Sequence, residues 1–326
     1  MILLATERGL VVCKRRGDGF WEVIHRTLEN LSLTSVIARE EVILVGTTEG
    51  VYRSNDYGRT WLEASAGLTA RHIRWMSYHP DISDFELCGT EPAGIFVSRD
   101  GGENWRECPE VTQLRHRFGW YLPYSPEAGC VRGFAHHGDR CYAAVEVGGV
   151  LVSQDGGESW ALAKGSSGNP DSLPPSNIHA DVHTIAVHPT NKELVFAPTG
   201  GGFYRSKDGG ASWELFYRCY CRAVWLDPTN QDHMILGPAD GVDHNGRIEQ
   251  SYDGGRSWEP ASSGLKTPWA RHMVERFALV GDDLLAVLSN GELLTASLPS
   301  LNWQRILPDV VGVAAVREMA DTRLPE

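Results

Sequence analysis

Basic side chains recur at one position relative to a turn residue in several segments of this sequence. Each stands six residues before a proline, or before a glycine in its place. These residues are Arg74, Arg132, His183 and Arg222, with Arg271 and His272 close to the same position in a later segment. Because a guanidinium group binds a carboxylate or phosphate through two parallel hydrogen bonds, such a set suits an anionic ligand.

Acidic side chains form a second pattern. A glutamate ends the second apolar run of four successive segments, namely Glu7, Glu49, Glu91 and Glu146. In the fifth segment three glycines, residues 200–202, take this place and would let a ligand or backbone approach closely. The glutamates could bind hydroxyl or amine groups of a ligand, with Glu91 and Glu146 as candidate acid and base. The alternative is that the arginines and glutamates pair with one another and fill the space between them.

Several histidines could serve as metal ligands. His183 closes the segment 179–183, which also contains His179 and Asp181, and imidazole with carboxylate is a common transition-metal donor set. Four more histidines could join it: His72, His136, His137 and His272. No spacing matches a known metal motif, so we expect no metal and no cofactor. His79 and His188 precede prolines and are expected to be turn residues.

The elements that position these side chains are marked by a repeated stretch, Ser-x-Asp-x-Gly-x-x-Trp. It begins at Ser54, Ser98, Ser153, Ser206 and Ser251. An aspartate that accepts hydrogen bonds from turn amides and a glycine that adopts a positive φ predict a tight turn. The tryptophan is expected to start the next strand and to pack against a neighbouring unit.

Each stretch lies in a larger unit of four short runs rich in β-branched and aromatic residues, which predicts a four-stranded antiparallel meander. The units cover residues 35–64, 71–108, 131–163, 183–217 and 222–260. Two more units lack the stretch: residues 272–306, and residues 2–24 with only three runs, which residues 310–316 would complete. The chain is therefore expected to be all-β, a seven-bladed β-propeller in one domain over residues 1–326, closed by its C-terminal strand. We expect no helix.

In such a ring the innermost strands begin at the mouth of the central channel, which brings the basic and acidic positions together. Two long loops, 106–130 and 161–182, should lie on the same face. Trp120, Tyr121 and Tyr124 in the first loop could stack on a sugar ring or cover the pocket. The alternative is that they pack the loop onto the blades.

The five stretches resemble the Asp-box, or BNR, repeats of sialidases, sortilin-type receptors, xyloglucan-cleaving enzymes and photosystem assembly factors. The resemblance covers about residues 35–260. It implies a β-propeller whose boxes lie at the blade periphery and are structural. Sialidases typically have six blades and a Phe/Tyr-Arg-Ile-Pro segment near the N-terminus. Seven units and the lack of that segment argue against sialidase activity here.

Composition narrows the partners and the compartment. The net charge of −12 argues against an extended nucleic-acid or anionic-membrane surface. The seven cysteines are odd in number and form no CxxC pair, which favours free thiols in a reducing compartment. The N-terminus has no basic region typical of a signal peptide, and no apolar run approaches a membrane span. We therefore expect a cytoplasmic protein.

These patterns favour binding of a small anionic, carbohydrate-like ligand at the channel mouth, with hydrolysis left open. The main alternative is a non-catalytic scaffold that holds a partner protein on one face of the propeller. A third hypothesis is a metal-dependent hydrolase or lyase.

Overall fold

The structure is a computed structural model that describes residues 1–17, 19–122, 129–169, 178–298 and 300–319. These residues form seven four-stranded antiparallel sheets, so the predicted seven-bladed β-propeller is confirmed. Blade 1 contains β1 (Ile2–Thr6), β2 (Gly9–Arg15) and β3 (Trp21–Thr27). Blade 2 contains β4 (Leu33–Arg39), β5 (Val42–Thr47), β6 (Gly50–Ser54) and β7 (Leu62–Glu63). Blade 3 contains β8 (His72–Tyr78), β9 (Glu86–Glu91), β10 (Ile95–Ser98) and β11 (Arg106–Glu107). Blade 4 contains β12 (Cys130–His137), β13 (Arg140–Glu146), β14 (Gly149–Ser153) and β15 (Ala161–Leu162). Blade 5 contains β16 (Ala186–His188), β17 (Asn191–Thr199), β18 (Gly202–Ser206) and β19 (Glu214–Tyr217). Blade 6 contains β20 (Tyr220–Leu226), β21 (Met234–Ala239), β22 (Glu249–Ser251) and β23 (Glu259–Pro260). Blade 7 contains β24 (Val274–Val280), β25 (Asp283–Leu288), β26 (Leu293–Ser297) and β27 (Gln304–Ile306).

The C-terminal strand closes the ring, as the three-run first unit predicts. This strand, β28 (Val313–Glu318), pairs antiparallel with β1, with Leu4 opposite Val316. It supplies the innermost strand of blade 1, whose order is β28-β1-β2-β3. The two ends of the chain are thus held in one sheet, which closes the ring of blades.

The core lies between neighbouring blades. Blades 2 and 3, for example, bury Leu44, Ile73, Cys88 and Phe96 against one another. Both faces of each inner blade region are covered, so strands such as β9 are buried along their whole length. This packing fixes the position of each inner strand, and the inner strands in turn place the channel side chains.

The repeated stretches form the turns between third and fourth strands. In the first one, Asp56 Oδ1 accepts hydrogen bonds from the backbone N–H groups of Arg59 and Thr60, at 3.0 and 2.9 Å, and Oδ2 accepts one from the Thr60 hydroxyl at 2.6 Å. Ser54 Oγ accepts the N–H of Gly58 at 2.8 Å. The side-chain bond from Thr60, followed by the backbone bonds, lowers the pKa of Asp56 to about 2. These aspartates shape turns, as predicted.

The expectation of no helix was wrong. The loop between blades 3 and 4 contains α1 (Pro109–Phe118), which buries Val111. Pro109 occupies the start of the helix, Glu110 lies in its first turn, and Gly119 ends it with φ 62°. This is the usual pairing of an N-terminal proline with a C-terminal glycine. In the described part of the chain, no helix has the length and apolarity needed to cross a membrane.

The two histidines that precede prolines are turn residues, as predicted. His79 Nδ1 accepts the backbone N–H groups of Asp81 and Ile82, at 3.1 and 3.2 Å. His188 Nδ1 accepts the N–H of Thr190 at 3.3 Å. Both imidazoles therefore cap the turn that follows the innermost strand.

Candidate functional site

A β-bulge recurs in the inner strands and directs an extra residue toward the channel. In β8, for example, Ile73 pairs with Thr90 and Trp75 with Gly89, which leaves Arg74 as the extra residue. The single extra residues of this kind are Thr34, Arg74, Arg132, Glu275 and Ala314. In β20 the two residues Arg222 and Ala223 lie opposite a single residue of the neighbouring strand β21. In blade 5 the three residues 183–185 lie opposite two residues of β17. Bulges bend a strand and re-aim its side chains.

The extra residues surround a cavity of ≈ 490 Å³ at the channel mouth. Its lining includes Thr34, Arg74, Arg132, Arg222, Glu275, Arg276 and Ala314 from the inner strands, and Glu7 and Asp243 from the loops between second and third strands. Three of the arginines predicted from the proline spacing thus come together, in blades 3, 4 and 6. The structure adds a fourth, Arg276.

One acid joins the arginines across the channel. Glu275 of blade 7 binds Arg132 of blade 4 and lies 2.7 Å from Nη1 of Arg222 in blade 6. Burial acts to raise the pKa of Glu275, but the charges of Arg132 and Arg222 outweigh it and hold the pKa far below its ordinary value. Glu275 is therefore a permanent carboxylate at the centre of the site.

The next residue of β24, Arg276, also lines the cavity. Arg276 donates from Nη2 to the backbone carbonyl of Arg132 at 3.2 Å, and its guanidinium carbon lies 3.7 Å from the centroid of the Trp75 ring. Stacking of this kind is a favourable cation–π contact. Burial, with the nearby Arg132, lowers the pKa of Arg276 to about 9. The Arg276 guanidinium that lines the cavity is thus held in place by Trp75 and by the backbone of blade 4.

The two candidate acid–base residues lie behind the arginines. Glu91 is 3.3 Å from Arg74, and Glu146 is 3.2 Å from Arg132, in each case within one blade. Both glutamates are buried, and neither belongs to the cavity lining. The structure therefore combines the two alternatives from the sequence, because the arginines are paired and a cavity remains in front of them.

Two buried polar atoms at the site have no hydrogen-bond partner among the described residues. One is the Nε donor of Arg222, and the other is the Oδ1 acceptor of Asp243. Buried polar groups without partners are uncommon in folded proteins and call for an explanation, such as a ligand. A ligand at this mouth would need an acceptor for the first atom and a donor for the second.

His183 lies beside the arginines and is linked to them through Tyr220. Its Nδ1 donates to the Cys221 carbonyl at 2.9 Å, and its Nε2 lies 3.2 Å from Asp181 Oδ2 and 3.3 Å from the Tyr220 hydroxyl. That hydroxyl also accepts a hydrogen bond from Arg222 Nη2 at 3.2 Å. His183 is buried and is not part of the cavity lining.

Three other predicted ligand residues lie away from this cavity. Arg271 and Glu49 are exposed, and His272 stacks on Trp269 with 5.0 Å between ring centroids. None of the three belongs to the cavity lining. In blade 7 the channel positions are filled by Glu275 and Arg276 instead.

Trp120 packs the long loop onto the blades. It is 1% exposed, lies among core residues of blades 3 and 4, and donates from Nε1 to the Gly168 carbonyl at 2.6 Å. Its ring is therefore not open to a ligand, which favours the packing alternative over the lid. Tyr121 is exposed, and Tyr124 lies outside the described residues, as do residues 170–177 of the second long loop.

Sequence reasoning missed Glu275, although a signal was present. Gly281 stands six residues after Glu275, as Gly138 stands six residues after Arg132. Applied to blade 7, the same spacing finds the channel residue. Asp243 was also missed as a site residue, because only the folded ring places it in the same cavity as Arg222. Tyr220 was missed although it stands two residues before Arg222 in β20.

No protein-family model matches this chain, and no curated protein matches it. Among solved structures, YCF48 from Cyanidioschyzon merolae is similar with a TM-score of 0.62 and 14% identity, over 91% of each chain. The GH74 xyloglucanase from Xanthomonas campestris gives a TM-score of 0.61 and 15% identity, over 85% of this chain and 45% of that one. An ancestral GH74 enzyme gives a TM-score of 0.60 and 18% identity, over 87% of this chain and 38% of that one. The chain thus spans less than half of either GH74 structure, and at these identities the likeness shows the β-propeller fold alone.

Proposed function

We propose that this chain is an Asp-box repeat propeller that binds a small anionic ligand of the size of a sugar acid at its channel mouth. The observation that carries the proposal is the convergence of Arg74, Arg132 and Arg222 on one cavity, with Nε of Arg222 buried and without a partner among the described residues. A carboxylate that accepts from Nε would satisfy this donor with a charge-assisted hydrogen bond.

The arginines of the lining supply hydrogen-bond donors for an anion. Arg74 and Arg132 also pair with Glu91 and Glu146 behind the cavity. The lining itself contains four arginines and the three acids Glu7, Asp243 and Glu275. Glu275 is shared between two arginines, so one carboxylate serves two guanidinium groups. The remaining acids lie in loops at the rim, where they can accept hydrogen bonds from ligand hydroxyl groups.

The size of the cavity suits a small molecule. A volume of ≈ 490 Å³ falls within the range of about 300–1,000 Å³ that is common for small-ligand sites. Its lining, which includes four arginines and three acids, matches a polar ring better than an apolar ligand. A sugar acid combines the required carboxylate with several hydroxyl donors.

We propose a binding role, in which none of Glu275, Glu91 and Glu146 acts as the general acid of a glycoside hydrolase. Hydrolysis of this kind needs a carboxylic acid whose pKa is raised, so that it can protonate the leaving group. Glu275 has the opposite property, because the neighbouring arginines lower its pKa. Glu91 and Glu146 are paired with Arg74 and Arg132 and lie outside the cavity lining.

Titration calorimetry with glucuronate tests the proposal, with neutral glucose as the matched ligand. We expect glucuronate to bind, glucose to bind at least tenfold more weakly, and Arg222→Ala to weaken glucuronate at least tenfold. Arg271→Ala is the matched control, because Arg271 is exposed and outside the cavity lining. Arg222→Lys, checked by circular dichroism, keeps a charge at the site in case the alanine variant does not fold. Equal binding of both sugars, or full glucuronate affinity in a folded Arg222 variant, would overturn the proposal.

A partner-protein scaffold is the second candidate, and the edge of blade 1 favours it. Its outer strand β3 has 7 residues, whereas the other outer strands have 2 to 4. Phe20 is 67% exposed, Val23 and Ile24 are more than a third exposed, and a groove of ≈ 760 Å³ lies between this strand and blade 7. An exposed strand edge can pair with an extended segment of another protein. One solved structure of this fold is described as YCF48 bound to D1 peptide, with a TM-score of 0.58 and 14% identity.

The scaffold role is tested by comparing co-purifying proteins of the wild type and Val23→Lys. A specific partner that the variant loses would support it. An identical, partner-free preparation of both proteins would contradict it.

We also propose that the protein works in the cytoplasm. All seven cysteines are free, and six of them are buried. A thiol count on the denatured, freshly isolated protein tests this, and a count below seven would oppose it.

A further inference from the structure

A second group of side chains converges beside the arginine cavity. Glu146 at the end of β13 meets Asp181 and His183, which precede β16, so the group joins blades 4 and 5. One ligand atom from each residue lies within 4.8 Å of the other two. None of the three residues belongs to the lining of the arginine cavity.

The imidazole of His183 is oriented toward the two acids. Its Nδ1 donates to the backbone carbonyl of Cys221 at 2.9 Å, so Nδ1 carries a proton and Nε2 is the free ligand atom in the neutral ring. Nε2 lies 3.2 Å from Asp181 Oδ2. Histidines that bind metals almost always donate their other ring N–H to a carbonyl or carboxylate, which fixes the tautomer and the ring orientation.

The carboxylate of Asp181 sits in a space that only glycine leaves open. A Cβ added at Gly200 would overlap Asp181 Oδ2. Its other oxygen, Oδ1, is buried and has no hydrogen-bond partner among the described residues. The Asp181 side chain is 30% exposed, which provides a route for an ion from solvent.

We propose that His183, Asp181 and Glu146 bind a divalent first-row transition-metal ion of the Zn²⁺ class. One imidazole with two carboxylates suits such ions, whereas Mg²⁺ and Ca²⁺ prefer oxygen ligands alone. Two atoms bound to one tetrahedral zinc ion at about 2.1 Å are ~3.4 Å apart, so the ligand atoms, which lie within 4.8 Å of one another, must draw closer when the ion binds. The remaining coordination positions belong to water. This site differs from the sequence-based expectation of no metal, and it does not depend on anion binding at the arginines.

Two neighbours moderate the affinity. Arg132 lies 3.2 Å from Glu146 Oε2, and its positive charge opposes a cation. The Tyr220 hydroxyl lies 3.3 Å from His183 Nε2 and must release that contact. We therefore expect a micromolar dissociation constant, weaker than that of a closed structural zinc site.

A second group in the chain provides the control. His79, His136 and Cys141 also place ligand atoms within 4.8 Å of one another. However, His79 Nδ1 accepts two backbone N–H groups, so its proton is on Nε2 and that atom cannot bind a metal. Burial raises the pKa of the Cys141 thiol to about 12, which keeps the sulfur protonated. This group should stay metal-free.

The test is calorimetry of the full chain, stripped with chelator, against ZnCl₂ and MgCl₂, with bound zinc counted by mass spectrometry after equilibrium dialysis against buffer whose free zinc exceeds the expected dissociation constant. We expect one zinc ion per chain at micromolar affinity and no measurable Mg²⁺ binding. Asp181→Asn and His183→Gln should each weaken zinc at least tenfold, whereas Cys141→Ser should match the wild type. Circular dichroism confirms the fold of each variant, and Asp181→Asn preserves the side-chain size if the histidine variant does not fold.

Less than 0.1 zinc per chain, or zinc that is lost in Cys141→Ser and kept in Asp181→Asn, would overturn the proposal. Glucuronate binding to the stripped protein is measured separately. The arginine site and the metal site can therefore fail independently.

Discussion

Glu275 Oε2 lies 2.7 Å from Nη1 of Arg222, while its Oε1 binds Arg132 on the opposite side of the channel. One acid of blade 7 thereby joins blades 4 and 6 at the level of the β-bulges. The pair is largely shielded, since the Glu275 side chain is 17% exposed. The same contacts hold the arginines in place and limit their net charge.

Replacement of this acid should both weaken the ring and strengthen anion binding. Glu275→Gln leaves Arg222 without its carboxylate and leaves Arg132 with Glu146 alone, and breaking a buried pair in this way costs about 3 kcal/mol. The lost negative charge should also raise glucuronate affinity several-fold. Urea unfolding and calorimetry measure the two effects. Glu49→Gln, at an exposed position, is the control, and unchanged stability of Glu275→Gln would contradict the prediction.

The box aspartates should affect stability and not binding. Asp56→Ala removes four hydrogen bonds from one turn, and by analogy with helix caps the cost is about 1–2 kcal/mol. Glucuronate affinity should stay within twofold of the wild type, because the turn lies between β6 and β7, away from the channel lining. Exposed Glu29→Ala serves as the control in urea unfolding. A loss of affinity in a stable Asp56→Ala protein would assign the box a role in binding.

A buried acid outside the channel should make stability depend on pH. Glu86 is fully buried, and neither of its carboxylate oxygens has a partner among the described residues. Burial raises the pKa of Glu86 from 4.5 to about 7. The folded state therefore binds this proton more tightly than the unfolded state, and the resulting stability is lost as the pH rises through 7. The loss is about 3 kcal/mol between pH 4.5 and pH 8.

Glu86→Gln keeps a neutral side chain at every pH, so it should be more stable than the wild type at pH 8 and close to it at pH 5. Urea unfolding of both proteins at these two pH values gives the difference directly. A constant difference between the two proteins would show that Glu86 is not the titrating group.

Trp120 should matter for folding and not for ligand capture. Trp120→Ala opens a core cavity and should cost about 3–5 kcal/mol. Glucuronate affinity of the folded fraction should change less than twofold. Tyr121→Ala, at an exposed site of the same loop, should leave both quantities unchanged. A large loss of glucuronate affinity in a Trp120→Phe protein that is as stable as the wild type would instead support a role of Trp120 in covering the pocket.

The blade number and the ring closure could be predicted because their signals are local. Each turn carries its own Ser, Asp and Gly, and the first unit visibly lacks one strand. The arginines of blades 3, 4 and 6 could be aligned for the same reason, since each stands a fixed distance before a turn. α1 was missed although Pro109 and Gly119 mark its ends.

The partners of these arginines could not be predicted, because they come from distant parts of the chain. Glu275 meets Arg132 across 143 residues, and Glu146 meets His183 only when blades 4 and 5 pack together. The burial of Trp120 could not be predicted either. The sequence does not distinguish an aromatic loop residue that covers a pocket from one that fills a core.

A crystal structure of the protein soaked with glucuronate tests the central claim most directly. We predict the sugar in the channel-mouth cavity, with a carboxylate oxygen about 3 Å from Nε of Arg222. Its hydroxyl groups should face Asp243 at the rim. A cavity that holds only water at saturating glucuronate, or sugar bound elsewhere on the propeller, would contradict the account.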